Sequence, residues 1–97
     1  MSRYEFTTRA AADLLEIGRY TKKTWGVEQA RRYREELEVA LQKLSRSPNS
    51  GRQRETIAPG VRSYRVASHI AFYVEKNDRI TILRLLHPKM DVDAAFE

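Results

Sequence analysis

Ninety-seven residues, 41% hydrophobic and 32% charged, make one domain of ordinary globular composition, too short for a second core and too apolar for a disordered chain. The lack of cysteine excludes disulfides and thiolate metal sites, two histidines argue against zinc, and no run approaches the ~18 apolar residues of a membrane span. The net charge of +5 is concentrated: Lys43, Arg46, Arg52, Arg54, Arg62 and Arg65 supply six of eighteen bases in a segment holding one of thirteen acids, Glu55, so an anionic partner is expected there unless the segment is a plain solvated loop.

The N-terminal MSRYEFTTRA has no apolar signal-peptide core, so a cytoplasmic protein is expected. Tyr4 and Phe6 alternate with Arg3 and Glu5, which predicts a short strand. Thr7-Thr8 then offers an N-cap to a helix carrying Ala11, Leu14, Leu15, Ile17, Gly18 and Tyr20, ended by Trp25-Gly26 with glycine suited to a left-handed cap. Ala30, Tyr33, Leu37, Ala40, Leu41 and Leu44 form the clearest apolar stripe, a second helix with Glu28 and Arg32 paired on its outer face. The two helices make an antiparallel hairpin.

From Ser45 to Gly60 the sequence shows no period, which predicts a long loop of the kind that often carries function. Three strands follow, over about 61–66, 69–75 and 79–86, with Asn77-Asp78 as a two-residue turn. The fold class is therefore α+β: a strand, a helical hairpin, then three antiparallel strands, in a single domain spanning 1–97.

The Asn77-Asp78 turn would set Glu75 opposite Ile80, Tyr73 opposite Ile82 and Ala71 opposite Arg84. One face then carries Ile70, Phe72, Val74, Leu83, Leu85 and His87. The other carries Ala71, Tyr73, Ile80, Ile82 and Arg84, joined by Arg62 and Tyr64 if Ala67-Ser68 also forms a two-residue turn. Arg84 and His87, three apart, point to opposite faces. Both faces are largely apolar, so hydrophobicity leaves open which one the helices cover. The uncovered one reads as a partner surface.

The residues Asp13-Leu14-x-Glu16-Ile17-x-x-Tyr20, Trp25-Gly26-x-x-Gln29-Ala30-x-x-Tyr33, Pro48-x-x-Gly51-Arg52, Pro59-Gly60-Val61-Arg62, Ile70 through Val74, and Ile82 through His87 with Met90-Asp91 resemble, in this order, the ParE branch of the RelE/ParE toxin superfamily. The likeness covers nearly the whole chain and agrees with the helical hairpin on a small antiparallel sheet. It implies the toxin half of a type II toxin–antitoxin pair, with a ParD-like antitoxin as partner. The ParE branch is associated with poisoning DNA gyrase, and the RelE branch with cutting mRNA on the ribosome. The first is an inhibitor that binds an enzyme; the second is itself an enzyme.

RNA cleavage needs a base, an acid and phosphate-facing cations, for which Glu55, Arg62, Arg84 and His87 are the available types. The resemblance speaks against it, because Ile70 stands where RelE-like nucleases carry a strand arginine, and Pro88-Lys89-Met90-Asp91 replaces their terminal tyrosine or basic cluster. Gyrase binding without catalysis is the expectation, through Arg52, Arg54, Arg62, His87, Lys89, Met90 and Asp91. Leu14, Ile17, Tyr20, Trp25, Tyr33 and Leu37 on the hairpin are expected to meet the antitoxin. The plain structural alternatives are an Arg84 ion pair with Asp13 or Glu16, a strand-end hydrogen bond for His87, and Tyr20, Trp25 and Tyr33 as core aromatics. Direct sequence-specific nucleic-acid binding is not expected, since no recognition helix or stacking platform appears.

Overall fold

A computed structural model describes residues 4–96. In chain order it comprises β1 (Tyr4–Phe6), α1 (Thr8–Trp25), α2 (Val27–Arg46), a 3-10 turn (Pro48–Ser50), β2 (Arg52–Gln53), β3 (Arg62–Val66), β4 (His69–Lys76), β5 (Arg79–Leu86) and α3 (Val92–Ala95). The strands form one sheet in the order β1-β5-β4-β3-β2, with β1 parallel to β5 and the other pairs antiparallel. The α+β expectation holds. Arg3 lies outside the described residues.

Thr7 joins the first helix to the sheet. Its Oγ1 accepts from Ala10 N at 3.1 Å, capping α1, and donates to Leu83 O at 3.0 Å, while its N donates to Ile82 O at 3.0 Å. Gly26, at φ 99° and ψ 167°, reverses the chain in a conformation that side chains rarely adopt, and its carbonyl receives Ala30 N. The α2 stripe is as expected: Leu37, Leu41 and Leu44 are buried and meet Ala71, Tyr73, Ile80, Ile82 and Leu85 of the sheet in one core with Ala10 and Val66. The surface pairing on α2 differs from expectation. Arg31 rather than Arg32 engages Glu28, because it lies one turn from both Glu28 and Glu35 and binds the two carboxylates together.

Asn77 and Asp78 both have positive φ (52° and 63°), as a tight two-residue hairpin requires, and Glu75 pairs with Ile80 and Tyr73 with Ile82 as expected. Ala67-Ser68 likewise turns in two residues, setting Arg62 opposite Tyr73 and Tyr64 opposite Ala71. Beyond Tyr73 the predicted register fails. Phe72 pairs with Arg84, so Leu83 is an extra residue on β5, a bulge that exchanges its faces from that point on. Arg84 is therefore opposite Phe72 and not Ala71, and Leu85 joins the helix-covered core.

The second face of the sheet is not the bare apolar surface expected. Phe72 and Leu86 are each 1% exposed. The Phe96 ring packs edge-on against Phe72 at 5.4 Å, and the Arg54 guanidinium lies 5.5 Å over the same ring. The segment from Ser45 to Gly60 is also more ordered than expected: α2 runs to Arg46, and β2 pairs with β3 through Arg52–Ser63 and Gln53–Arg62. Edge strands of two residues leave no legible alternation.

Gly51 anchors that segment. Its N donates to Tyr73 Oη at 2.9 Å, and Tyr73 Oη donates to Pro48 O at 2.6 Å. A Cβ at position 51 would lie 2.2 Å from Tyr73 Oη, on a ring that is itself 0% exposed. Gly51→Ala should therefore cost about 1–3 kcal/mol, read as a fall in melting temperature of several degrees. An unchanged transition would show that this packing is loose.

Candidate functional site

An open groove of about 850 Å³ lies between α1 and the end of the sheet where His69 begins β4 and His87 follows β5. Tyr20, Trp25 and Tyr33 give its walls three large aromatic rings. Tyr20 and Trp25 are 65% and 69% exposed, so they are not the core aromatics that one structural reading of the hairpin expected; Tyr33 is half-buried. An amphipathic helix pattern marks which face is apolar but not how far the sheet beneath extends, and these two rings have no strand covering them. Met90, 48% exposed, lines the same groove. Of the residues expected to meet an antitoxin, Ile17, Tyr20, Trp25 and Tyr33 line this groove. Leu14 packs against the core, and Leu37, 1% exposed, is inside it, out of a partner's reach.

Within the groove Ser68 N donates to Tyr33 Oη at 2.9 Å, and Tyr33 Oη lies 2.6 Å from His69 Nδ1. The His69 ring meets His87 edge-on with centroids 5.8 Å apart, and His87 Nδ1 accepts from Lys89 N at 3.1 Å. Burial, then the neighbouring His87 and Arg65, pushes the His69 pKa below its ordinary value. Burial also raises the Tyr33 hydroxyl. His87 was expected beside Ile70 and Phe72. The β5 bulge places it with Leu85 on the helix side instead. His69 was missed, although its even spacing from Ala71 and Tyr73 puts it on the core face.

The four residues available for RNA cleavage do not converge. Arg84 grips Asp13 with two hydrogen bonds, Nε to Oδ2 at 2.7 Å and Nη2 to Oδ1 at 2.9 Å, and donates Nη1 to Ala95 O at 2.8 Å. The Asp13 hydrogen bond raises the guanidinium pKa further, and Asp13 also receives Leu85 N. Arg62 donates to Gly51 O at 2.8 Å and Asn49 O at 3.3 Å. Glu55 Oε2 accepts Gly60 N at 3.1 Å, closing its loop, and His87 stands in the groove. Among the described residues, no hydrogen bond or ion pair joins any two of these four.

The residues expected to face a target are also divided. Arg52 is exposed at the sheet edge, while Arg54 is half-buried over Phe72. Lys89 and Met90 are exposed in the turn after β5, and Asp91 caps α3 through Ala94 N at 3.3 Å. Among the described residues there is no cluster of three or more His, Asp or Glu that could hold a metal, and no helix long and apolar enough to cross a membrane.

Residues 4–92 match the family model for the ParE toxin of the parDE type II toxin–antitoxin system. The chain is 41% identical over 93 residues to Toxin ParE1 of Mycobacterium tuberculosis, covering 95% of each, and 36% identical over 94 residues to Toxin ParE1 of Caulobacter vibrioides, covering 97% of each. Its fold is similar to a solved structure described as the chromosomal ParDE toxin–antitoxin system from P. aeruginosa, with a TM-score of 0.74, 28% identity, and coverage of 90% of this chain and 96% of that one.

Proposed function

The chain belongs to the ParE toxins of type II toxin–antitoxin systems, and from that premise we propose that it arrests bacterial growth in the cytoplasm by binding and poisoning DNA gyrase, held in check by an acidic ParD-like antitoxin. The observation that carries gyrase binding over RNA cleavage is the separate occupation of Glu55, Arg62 and Arg84. Each is tied to a structural partner, so no acid, base and phosphate clamp converge around His87. The groove supplies the antitoxin surface: exposed Tyr20 and Trp25 beside half-buried Tyr33 are the aromatic anchors that tight interfaces concentrate. An antitoxin helix lying along the hairpin and continuing over the sheet would bury more than about 1,600 Å².

Expression of the chain alone should arrest growth and induce the DNA-damage response with mRNA left intact. Co-expression of the acidic protein encoded beside it should restore growth. Arrest with shortened mRNA and no DNA damage would overturn the gyrase reading.

Arg52 and Arg54 belong to the basic segment proposed to face the target. Arg52→Glu should slow association with gyrase while changing stability by less than about 1 kcal/mol, because exposed charges contribute little to folding. Arg54→Glu should cost more stability, since it also removes the cation from the Phe72 ring. Surface plasmon resonance at low salt with an unchanged on-rate for folded Arg52→Glu would remove Arg52 from the target surface.

A further inference from the structure

We propose that His69 and His87 form a paired hydrogen-bond donor site for one carboxylate of the antitoxin, so that the antitoxin binds more tightly as pH falls. The inference rests on the antitoxin reading of the groove and specifies the chemistry of its occupant. Both rings line the groove and meet edge-on at 5.8 Å. His87 Nδ1 accepts from Lys89 N–H, so the neutral ring carries its proton on Nε2. The Tyr33 hydroxyl oxygen accepts from Ser68 N–H, and in the tautomer where its own proton goes to His69 Nδ1 the His69 ring carries its proton on Nε2 as well.

Two Nε2–H donors therefore stand beside the aromatic rings of the groove. Among the described residues neither has an acceptor within the chain. A partner covering them with apolar side chains would leave both unpaired, which is costly once water is excluded. A carboxylate brings two acceptor oxygens together and suits a chain with a net charge of +5. The acids of the groove do not fill that role: Asp13 is held by Arg84, and Glu16 is an exposed partner of Arg19 at 3.8 Å.

The charged and titratable groups around the pair are Tyr33 on α2, Arg65 on β3, Asp13, Glu16 and Tyr20 on α1, and Lys89 after β5. In the free protein, burial, His87 and Arg65 keep His69 neutral to lower pH than usual. A seated carboxylate opposes that effect and favours the protonated form of the imidazole it touches, so binding takes up protons. Affinity then rises as pH falls, and levels off once the free protein is itself protonated.

The test measures the dissociation constant of the co-encoded antitoxin at pH 8, 7 and 6. The native chain should bind several-fold tighter at pH 6 than at pH 8, since a one-unit rise in one histidine pKa gives at most about tenfold and only at pH well below the free-state value. His87 is exposed, so substitution there preserves the fold. His87→Gln, which keeps an N–H donor without a titratable charge, should lose much of the pH dependence. His87→Leu should lose affinity at every pH, and long-range nitrogen NMR of the free toxin should show both rings protonated at Nε2. Affinity that is flat or weaker toward pH 6, or a His87→Gln profile parallel to the native one, would overturn the proposal. Absence of binding at every pH would overturn the antitoxin reading itself, and the site with it.

Discussion

Asp13→Ala should lower the melting temperature by at least about 12 °C, or prevent folding altogether. The side chains of Arg84 and Asp13 are only 11% and 16% exposed, and Asp13 also receives the backbone N–H of Leu85 where β5 runs beyond β1. Removing one partner of such a pair leaves a guanidinium with little water and no counter-ion, at a cost of about 3–5 kcal/mol. A domain of this size has roughly 5–10 kcal/mol in total, and each kcal/mol shifts its melting temperature by about 4–8 °C. The double change Asp13→Leu with Arg84→Met should recover much of the loss, because two apolar chains carry no unpaired charge. A fall worth less than about 1 kcal/mol for Asp13→Ala would class the pair with ordinary surface salt bridges.

His87→Ala should leave toxicity within about thirtyfold of the native chain. A recognition contact contributes about 1–2 kcal/mol, roughly tenfold in affinity, whereas a general acid or base contributes about 10²–10⁴-fold to rate. Glu55→Gln should be nearly silent, since its partner is the exposed N–H of Gly60, which water can replace. Inducer titration of growth arrest, with protein levels matched by blotting, measures both. A His87→Ala chain without toxicity at full expression would favour catalysis.

The parts of this architecture written in local pattern were legible before the structure. Thr7 as cap, the Leu37-Leu41-Leu44 stripe and the Asn77-Asp78 turn each rest on residue type and spacing within one element. The extra residue at Leu83 was not legible, because strict alternation gives no sign of where a bulge falls, and that one residue decided which neighbours His87 would have. The Arg84–Asp13 pair could be named as an alternative but not ranked, since it joins residues 71 apart in sequence. Tyr20 and Trp25 show the reverse difficulty. Large aromatics on an apolar helix face read as core, and only the extent of the sheet reveals them as an open wall. The groove thus owes its aromatics to pattern, and its histidine pair to a bulge and a two-residue turn that bring Ser68, His69 and His87 to one end of the sheet.

Supercoiling of relaxed plasmid by purified gyrase, with the toxin added in increasing amounts, measures gyrase poisoning directly. Loss of supercoiling together with accumulated gyrase–DNA cleavage complexes is expected, both relieved by prior mixing with the antitoxin. A folded toxin that leaves supercoiling untouched, while translating ribosomes given the same preparation show site-specific mRNA cuts, would contradict it.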